Sequence, residues 1–160
     1  MKEVIIETKF TEYESINNLD EDLKLLSQRT LEIVDNAYAP YSEFNVGAAV
    51  LLENGKIITG TNQENAAYPS GLCAERVAIF YANSKYPNVA IKAMAVSAKK
   101  NGELINQAIP PCGACRQVML ETENRFKKDM KIIMISKNNV LTIDNAKSLL
   151  PLSFTSDFVK

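Results

Sequence analysis

The sequence predicts an α/β protein: three layers, α/β/α, with a mixed sheet of about five strands between helices. Three observations carry that expectation. Helical and strand-length apolar patterns alternate along the chain, and the alternation opens with a hairpin. The run Lys131 to Ser136, K-I-I-M-I-S, is short and apolar enough to lie inside a sheet. At 160 residues, 46% hydrophobic and 23% charged, the chain has the size of one domain and an ordinary capacity to bury a core.

Taken in order, the first twenty residues read as a short extended piece over residues 4–10 and then an irregular acidic stretch. Leu23, Leu26, Thr30, Ile33, Val34 and Ala37 recur at helical spacing, and Pro40 ends that helix. Val46 to Leu52 is apolar and β-capable, Asn54-Gly55 signals a type I′ turn, and Lys56 to Gly60 returns as the second arm. From Cys73 to Ser84 the pattern is helical, with Val77, Ile79, Phe80 and Ala82 on the apolar side. A strand over 91–98 follows, and Pro110-Pro111 breaks the chain before a helix over 113–126. The apolar strand at 131–136, a last strand at 140–142 and a short helix at 145–149 complete the sheet and close the chain.

Composition excludes much chemistry. The chain has no histidine, which removes Ser-His-Asp and Cys-His nucleophile activation, the H-E-x-x-H zinc helix and two-His-one-carboxylate iron sites. Acid–base work near neutral pH then falls to a tuned carboxyl group or a metal-bound water. A net charge of −1 speaks against a polynucleotide-backbone binder. No run of 18 apolar residues exists, and the N-terminus lacks a signal-peptide h-region. A reducing, cytoplasmic location is therefore expected, where clustered cysteines more often mean metal or catalysis than a disulfide.

The three cysteines are the sharpest feature. Cys112 and Cys115 form a C-x-x-C pair after Pro111, and Cys73 follows Pro69; each group falls at a helix start. Free backbone N–H groups and the positive dipole end there favour thiolates. Three thiolates at two helix starts suit zinc, leaving the fourth position for water, as in a catalytic rather than a structural site. A redox pair or inert core cysteines are the competing readings. Glu75, two residues after Cys73, is placed to move protons to and from a zinc-bound water, or else serves as an ordinary first-turn dipole partner. Arg76 or Arg116, next to the cysteines, is expected to donate to a ligand sulfur and offset the anionic set.

Cys73-Ala74-Glu75 followed by Pro111-Cys112-Gly113-Ala114-Cys115-Arg116-Gln117 resembles the zinc signature of nucleoside and nucleobase deaminases. The all-cysteine form is similar to the small homotetrameric cytidine deaminases. Three further segments extend the resemblance, in order: Ala37 to Ala49 (A-Y-A-P-Y-S-E-F-N-V-G-A-A), Gly60 to Pro69 (G-T-N-Q-E-N-A-A-Y-P) and Leu149 to Phe154 (L-L-P-L-S-F). The resemblance covers roughly residues 21–155, in four ordered motifs.

The resemblance implies a cytidine deaminase-like fold and one zinc ion per chain on Cys73, Cys112 and Cys115, with Glu75 as proton shuttle. Asn62 and Glu64 match positions that hydrogen-bond the ribose hydroxyls, and Phe44 matches the aromatic beside the pyrimidine. The Ala74 N–H matches the group on the base carbonyl. Tyr68 and Phe154 match residues that a neighbouring subunit lends to the pocket, so the implied partner is a second copy within a homotetramer. The implied reaction is hydrolytic deamination of cytidine and 2′-deoxycytidine to the uridine product plus ammonia, in pyrimidine salvage. Zinc hydroxide would attack C4, and Glu75 would carry protons to N3 and to the departing amine. Residues 21–160 form the expected deaminase domain; residues 1–20 extend beyond the usual family start and have no assigned role. Thr155 stands where many members carry glycine after the terminal Phe. Rival functions are deamination of another amine-bearing nucleoside, polynucleotide editing, and a non-catalytic zinc-stabilised binding module with a closed four-ligand site.

Overall fold

The structure is a computed structural model, described here for residues 1–159. Its core is divided in two by the alternation within the central strands. In β2 (Phe44–Leu52), Ala48, Val50 and Leu52 join one apolar cluster, and Ala49 and Leu51 join the other. Strands β4 (Ile91–Lys100) and β6 (Lys131–Ile135) split likewise, Met94, Val96, Ile132 and Met134 on one face and Ala93, Ala95, Ile133 and Ile135 on the opposite one. Helix α1 (Glu21–Ile33) covers the second cluster with Leu23, Leu26 and Leu31. Helices α2 (Ala74–Lys85) and α3 (Gly113–Phe126) cover the first with Ala78, Ile79, Ala82, Cys115 and Met119. This is the three-layer α/β/α class the sequence predicts.

The sheet has seven strands rather than about five. With β1 (Thr11–Tyr13), β3 (Ile57–Thr61) and β7 (Val140–Ile143), its order is β1-β7-β6-β4-β2-β3, and β5 (Glu103–Leu104) pairs with the end of β4. Only β4 and β6 run parallel, which requires the crossover that α3 supplies. The two additional strands are short. β1 lies at residues 11–13, after the stretch 4–10 read as extended, and pairs antiparallel with β7. β5 follows the dipeptide Asn101-Gly102, whose φ values of 52° and 80° make a two-residue type I′ turn.

The Asn54-Gly55 hairpin forms, with a different turn. Only Gly55 there has positive φ, and its N–H donates to Leu52 O at 2.9 Å. This is a type I turn followed by a left-handed glycine, not the type I′ turn expected. The C-terminal helix expected over 145–149 is a 3₁₀ turn, Lys147–Leu149. Phe80, assigned to the apolar side of α2, is 48% exposed, because the buried stripe runs through Ala74, Ala78, Ile79 and Ala82 instead.

Small residues set how closely α2 approaches the sheet. A Cβ on Gly60 in β3 would lie 2.6 Å from Ala78 N and 2.8 Å from Ala74 O, so only glycine lets the first turns of α2 sit there. Those turns carry Cys73, Ala74 and Glu75.

Candidate active site

Two helix starts face each other across a cavity. Cys73 is the N-cap of α2 and Cys112 the N-cap of α3, both extended at ψ 150° and 165°. Cys115 follows one turn into α3 and is fully buried. The chain reaches each helix from a proline-bearing loop, Pro69 before α2 and Pro110-Pro111 before α3. Cys112 Sγ lies 3.8 Å from Cys73 Sγ and 3.4 Å from Cys115 Sγ, and all three sulfurs fall within 4.8 Å of one another. Tetrahedral thiolate ligands about 2.3 Å from zinc are spaced about 3.8 Å apart, so the trio fits that ion. Among the described residues, this is the single cluster of potential metal ligands of this size.

The electrostatics favour a thiolate. Arg76 Nη2 donates to Cys73 Sγ at 3.5 Å. Hydrogen bonding from Cys115 and then from Arg76 holds the Cys73 thiol down to about 5, against its own burial. Cys115 moves the other way: its bond to Cys73 and its burial push its thiol up. Arg116 takes no part at the sulfurs. Its Nε donates to Pro111 O at 2.7 Å and its Nη1 to Leu149 O at 2.9 Å, so its guanidinium ties the loop before Cys112 to the C-terminal segment. The expected donor to a ligand sulfur is Arg76, not Arg116.

Glu75 lies beside the sulfurs without joining them. It is 4% exposed and lines the cavity with Cys73, Cys112, Ala74, Phe44, Asn62 and Glu64, a space of about 560 Å³. Burial pushes its carboxyl above the ordinary carboxylate range. Pro110 and Ile109, the latter not singled out by the sequence reading, complete the apolar wall.

The opposite end is built from loops. Asn62, just past β3, spans the start of β2: its Oδ1 accepts from Val46 N at 2.7 Å and its Nδ2 donates to Phe44 O at 2.9 Å. Glu64 turns toward the loop before β2, where Oε2 accepts from Tyr41 N at 2.9 Å and Ser42 N at 3.3 Å, and Oε1 from Ser42 Oγ at 2.5 Å. The Ser42 hydroxyl and the Tyr41 amide hold the Glu64 carboxyl below its ordinary value. Ser42 is the functional candidate that the sequence reading missed; its signal was a serine two residues before Phe44, the spacing of a side-chain-to-backbone turn.

Tyr68 and Phe154 stand apart. Tyr68 is exposed, lies edge-on to Tyr41 at 6.2 Å, and lines an adjoining cavity of about 580 Å³ that shares Ser42, Asn62, Glu64 and Cys73. Phe154 is exposed, stacks on Phe158 at 5.8 Å, and lines neither cavity of its own chain.

A three-layer fold with three thiols at two helix starts and a buried carboxyl beside them defines a class of metal-dependent hydrolytic enzymes. Residues 20–129 match the family described as the cytidine and deoxycytidylate deaminase zinc-binding region. The chain belongs to that family. It is 38% identical over 136 residues to a cytidine deaminase of Sporosarcina psychrophila, covering 85% of this chain and 93% of that one. It is 36% identical over 136 residues to one of Halalkalibacterium halodurans, covering 85% and 96%. The crystal structure of cytidine deaminase from Burkholderia pseudomallei superposes with a TM-score of 0.68 at 36% identity, over 81% of this chain and 97% of that one. The zinc-binding family and the three-sulfur cluster together support zinc as the cofactor.

Proposed function

We propose that the protein is a cytidine deaminase that hydrolyses the C4–N bond of cytidine and 2′-deoxycytidine, releasing ammonia and the uridine product. One observation carries the reading: two cysteines of the three-sulfur cluster, a buried carboxyl and the polar side chains of Ser42, Asn62 and Glu64 line one cavity. Cys73, Cys112 and Cys115 would hold zinc, which when bound supplies the Lewis acidity that makes water nucleophilic near neutral pH.

The chain's own groups do the rest. Glu75, buried beside the sulfurs, takes protons from the incoming water and gives one to pyrimidine N3 and then one to the leaving amine. The Ala74 N–H, in the first turn of α2 where no intrahelical acceptor exists, donates to the base carbonyl. Phe44 packs beside the ring. Asn62 and Glu64 take the ribose hydroxyls, an amide and a carboxylate together offering both donors and acceptors. Arg76 offsets the charge of the sulfurs.

Exposed Tyr68 and Phe154 suit a site completed by a second copy, so we assign the active form to a homotetramer with shared pockets. The chemistry belongs to residues 21–160; within residues 1–20, Thr11–Tyr13 adds an edge strand to the sheet. No helix among the described residues is long and apolar enough to cross a membrane, in keeping with a cytoplasmic enzyme of pyrimidine salvage. Purified protein should hold one zinc per chain and deplete the absorbance of cytidine; bound zinc with no turnover of any cytosine nucleoside would sink the reading.

A further inference from the structure

Within the Ala37 to Ala49 segment, one side chain has no role in the chemistry above yet touches both walls of the sugar end. Ser42 Oγ donates to Glu64 Oε1 at 2.5 Å and accepts from Phe44 N at 3.1 Å. It thus bonds at once to the carboxylate expected to take the ribose hydroxyls and to the backbone of the aromatic expected beside the base. With the Tyr41 and Ser42 amides on Oε2, both Glu64 oxygens are held from the loop side. Oε1, which accepts one bond, keeps a lone pair for a sugar hydroxyl, whereas Oε2 already accepts two.

The loop is bent to achieve this. Glu43, between Ser42 and Phe44, has φ 53°, a left-handed conformation that costs a non-glycine residue about 1 kcal/mol or more. Strain of that kind persists where surrounding contacts determine it, and the Ser42 bonds on either side are such contacts. The neighbouring segments are also tied: Tyr38 N donates to Asn62 O at 3.0 Å and Glu64 N to Tyr38 O at 2.8 Å, which joins the loop to the segment just past β3.

We infer that Ser42 is a positioning residue for sugar recognition: its hydroxyl fixes the Glu64 carboxylate so that the site favours nucleosides carrying ribose hydroxyls. Asn62 is less free to discriminate, because its amide already spans Val46 N and Phe44 O. The inference rests on the cytidine deaminase reading and concerns the same cavity.

The test compares wild type, Ser42→Ala and Ser42→Thr on cytidine and on 2′,3′-dideoxycytidine, which lacks the 2′- and 3′-hydroxyls. Zinc content is measured on each protein. Ser42→Ala should raise KM for cytidine about tenfold, the order of one hydrogen bond to a charged group, and leave kcat within about twofold. Its affinity for dideoxycytidine, read as an inhibition constant against cytidine where turnover is slow, should not change. Ser42→Thr keeps the hydroxyl, and at this exposed position its methyl has room, so it should restore the cytidine KM. An unchanged KM in Ser42→Ala, an equal loss on both nucleosides, or failure of threonine to rescue would each overturn the inference. A wild type that holds zinc but leaves cytidine intact overturns the reading of the reaction itself, and the inference with it.

Discussion

The two ends of the cavity are built on opposite principles. At the sulfur end the functional groups sit on helix starts packed against the sheet: Ala74, Glu75 and Cys115 are buried, and Gly60 admits the turn that carries two of them. At the sugar end they sit on loops, and position comes from hydrogen bonds of Tyr41 and Ser42 to Glu64 and of Val46 and Phe44 to Asn62. Close packing tolerates little displacement, whereas a hydrogen-bonded loop can be loosened one bond at a time. Substitutions at the sulfur end should therefore act in large steps on kcat and stability, and those at the sugar end in small steps on KM.

The largest step is loss of a ligand. Cys112→Ser should abolish both zinc retention and turnover, measured by metal analysis and cytidine absorbance; an active, zinc-free variant would break the metal assignment. Next, Glu75→Gln should keep zinc and lose about 10²–10⁴-fold in kcat, the usual share of a positioned acid–base group. Gly60→Ala should follow at about 2–3 kcal/mol of stability by thermal or urea unfolding. Its Cβ meets backbone at 2.6 Å, and backbone cannot swing aside as a side-chain tip can.

At the sugar end the step is smaller and depends on pH. Glu64→Gln should raise KM for cytidine about tenfold and spare zinc and kcat. The Glu64 carboxyl sits below its ordinary value because Ser42 and Tyr41 donate to it, so the charged form is favoured in the folded protein. Its contribution is thus fully present above the unfolded carboxyl value and is lost as pH falls through the lower folded one. The Ser42→Ala protein should consequently lose cytidine affinity at a higher pH than wild type on acidification. Superimposable KM–pH profiles would remove Ser42 from the account.

The same division explains what could be read from the sequence. The sulfur end was legible because cysteine is rare, its spacing is fixed by helix starts, and prolines precede both helices. The layer order was legible because β2, β4 and β6 carry unbroken apolar runs. The sugar-end bonds were not, since Ser42, Tyr41 and Glu64 meet across 22 or more residues of sequence through backbone amides that leave no pattern in composition. Glu123 is a parallel case within the core. It looks like an ordinary helical surface glutamate, yet it is 7% exposed and its Oε1 accepts from Met130 N at 2.8 Å and Ala146 N at 2.7 Å. Nothing local announces partners from two other segments.

The two Asn-Gly dipeptides show how local chemistry alone misleads, and they supply the smallest effect. Asn54-Gly55 and Asn101-Gly102 carry the same turn signal, but both residues have positive φ only in the second. In the first, a three-residue loop closes with Gly55 N on Leu52 O, and Asn54 stays in the ordinary region with its Oδ1 accepting from Lys56 N at 3.2 Å. In the second, Lys100 pairs directly with Glu103, so only two residues remain and both must turn left-handed. Asparagine tolerates that conformation better than alanine does. Asn101→Ala should therefore cost about 1 kcal/mol and Asn54→Ala about half as much, the latter losing only an exposed side-chain bond. Gly55→Ala and Gly102→Ala should cost alike, because neither added Cβ meets any atom within 4 Å and backbone strain alone is felt. Unfolding of the four variants measures this directly. Equal losses at Asn54 and Asn101 would mean that the two turns are the same. The hairpin at Asn101-Gly102 opens the stretch that runs through Ile109 and Pro110 to Cys112, so Asn101→Ala also asks whether the sulfur end is insulated from it. Full zinc content and unchanged kcat in Asn101→Ala would place the rigidity of that end in the packing of α2 and α3 on the sheet, and not in the loops that lead to them.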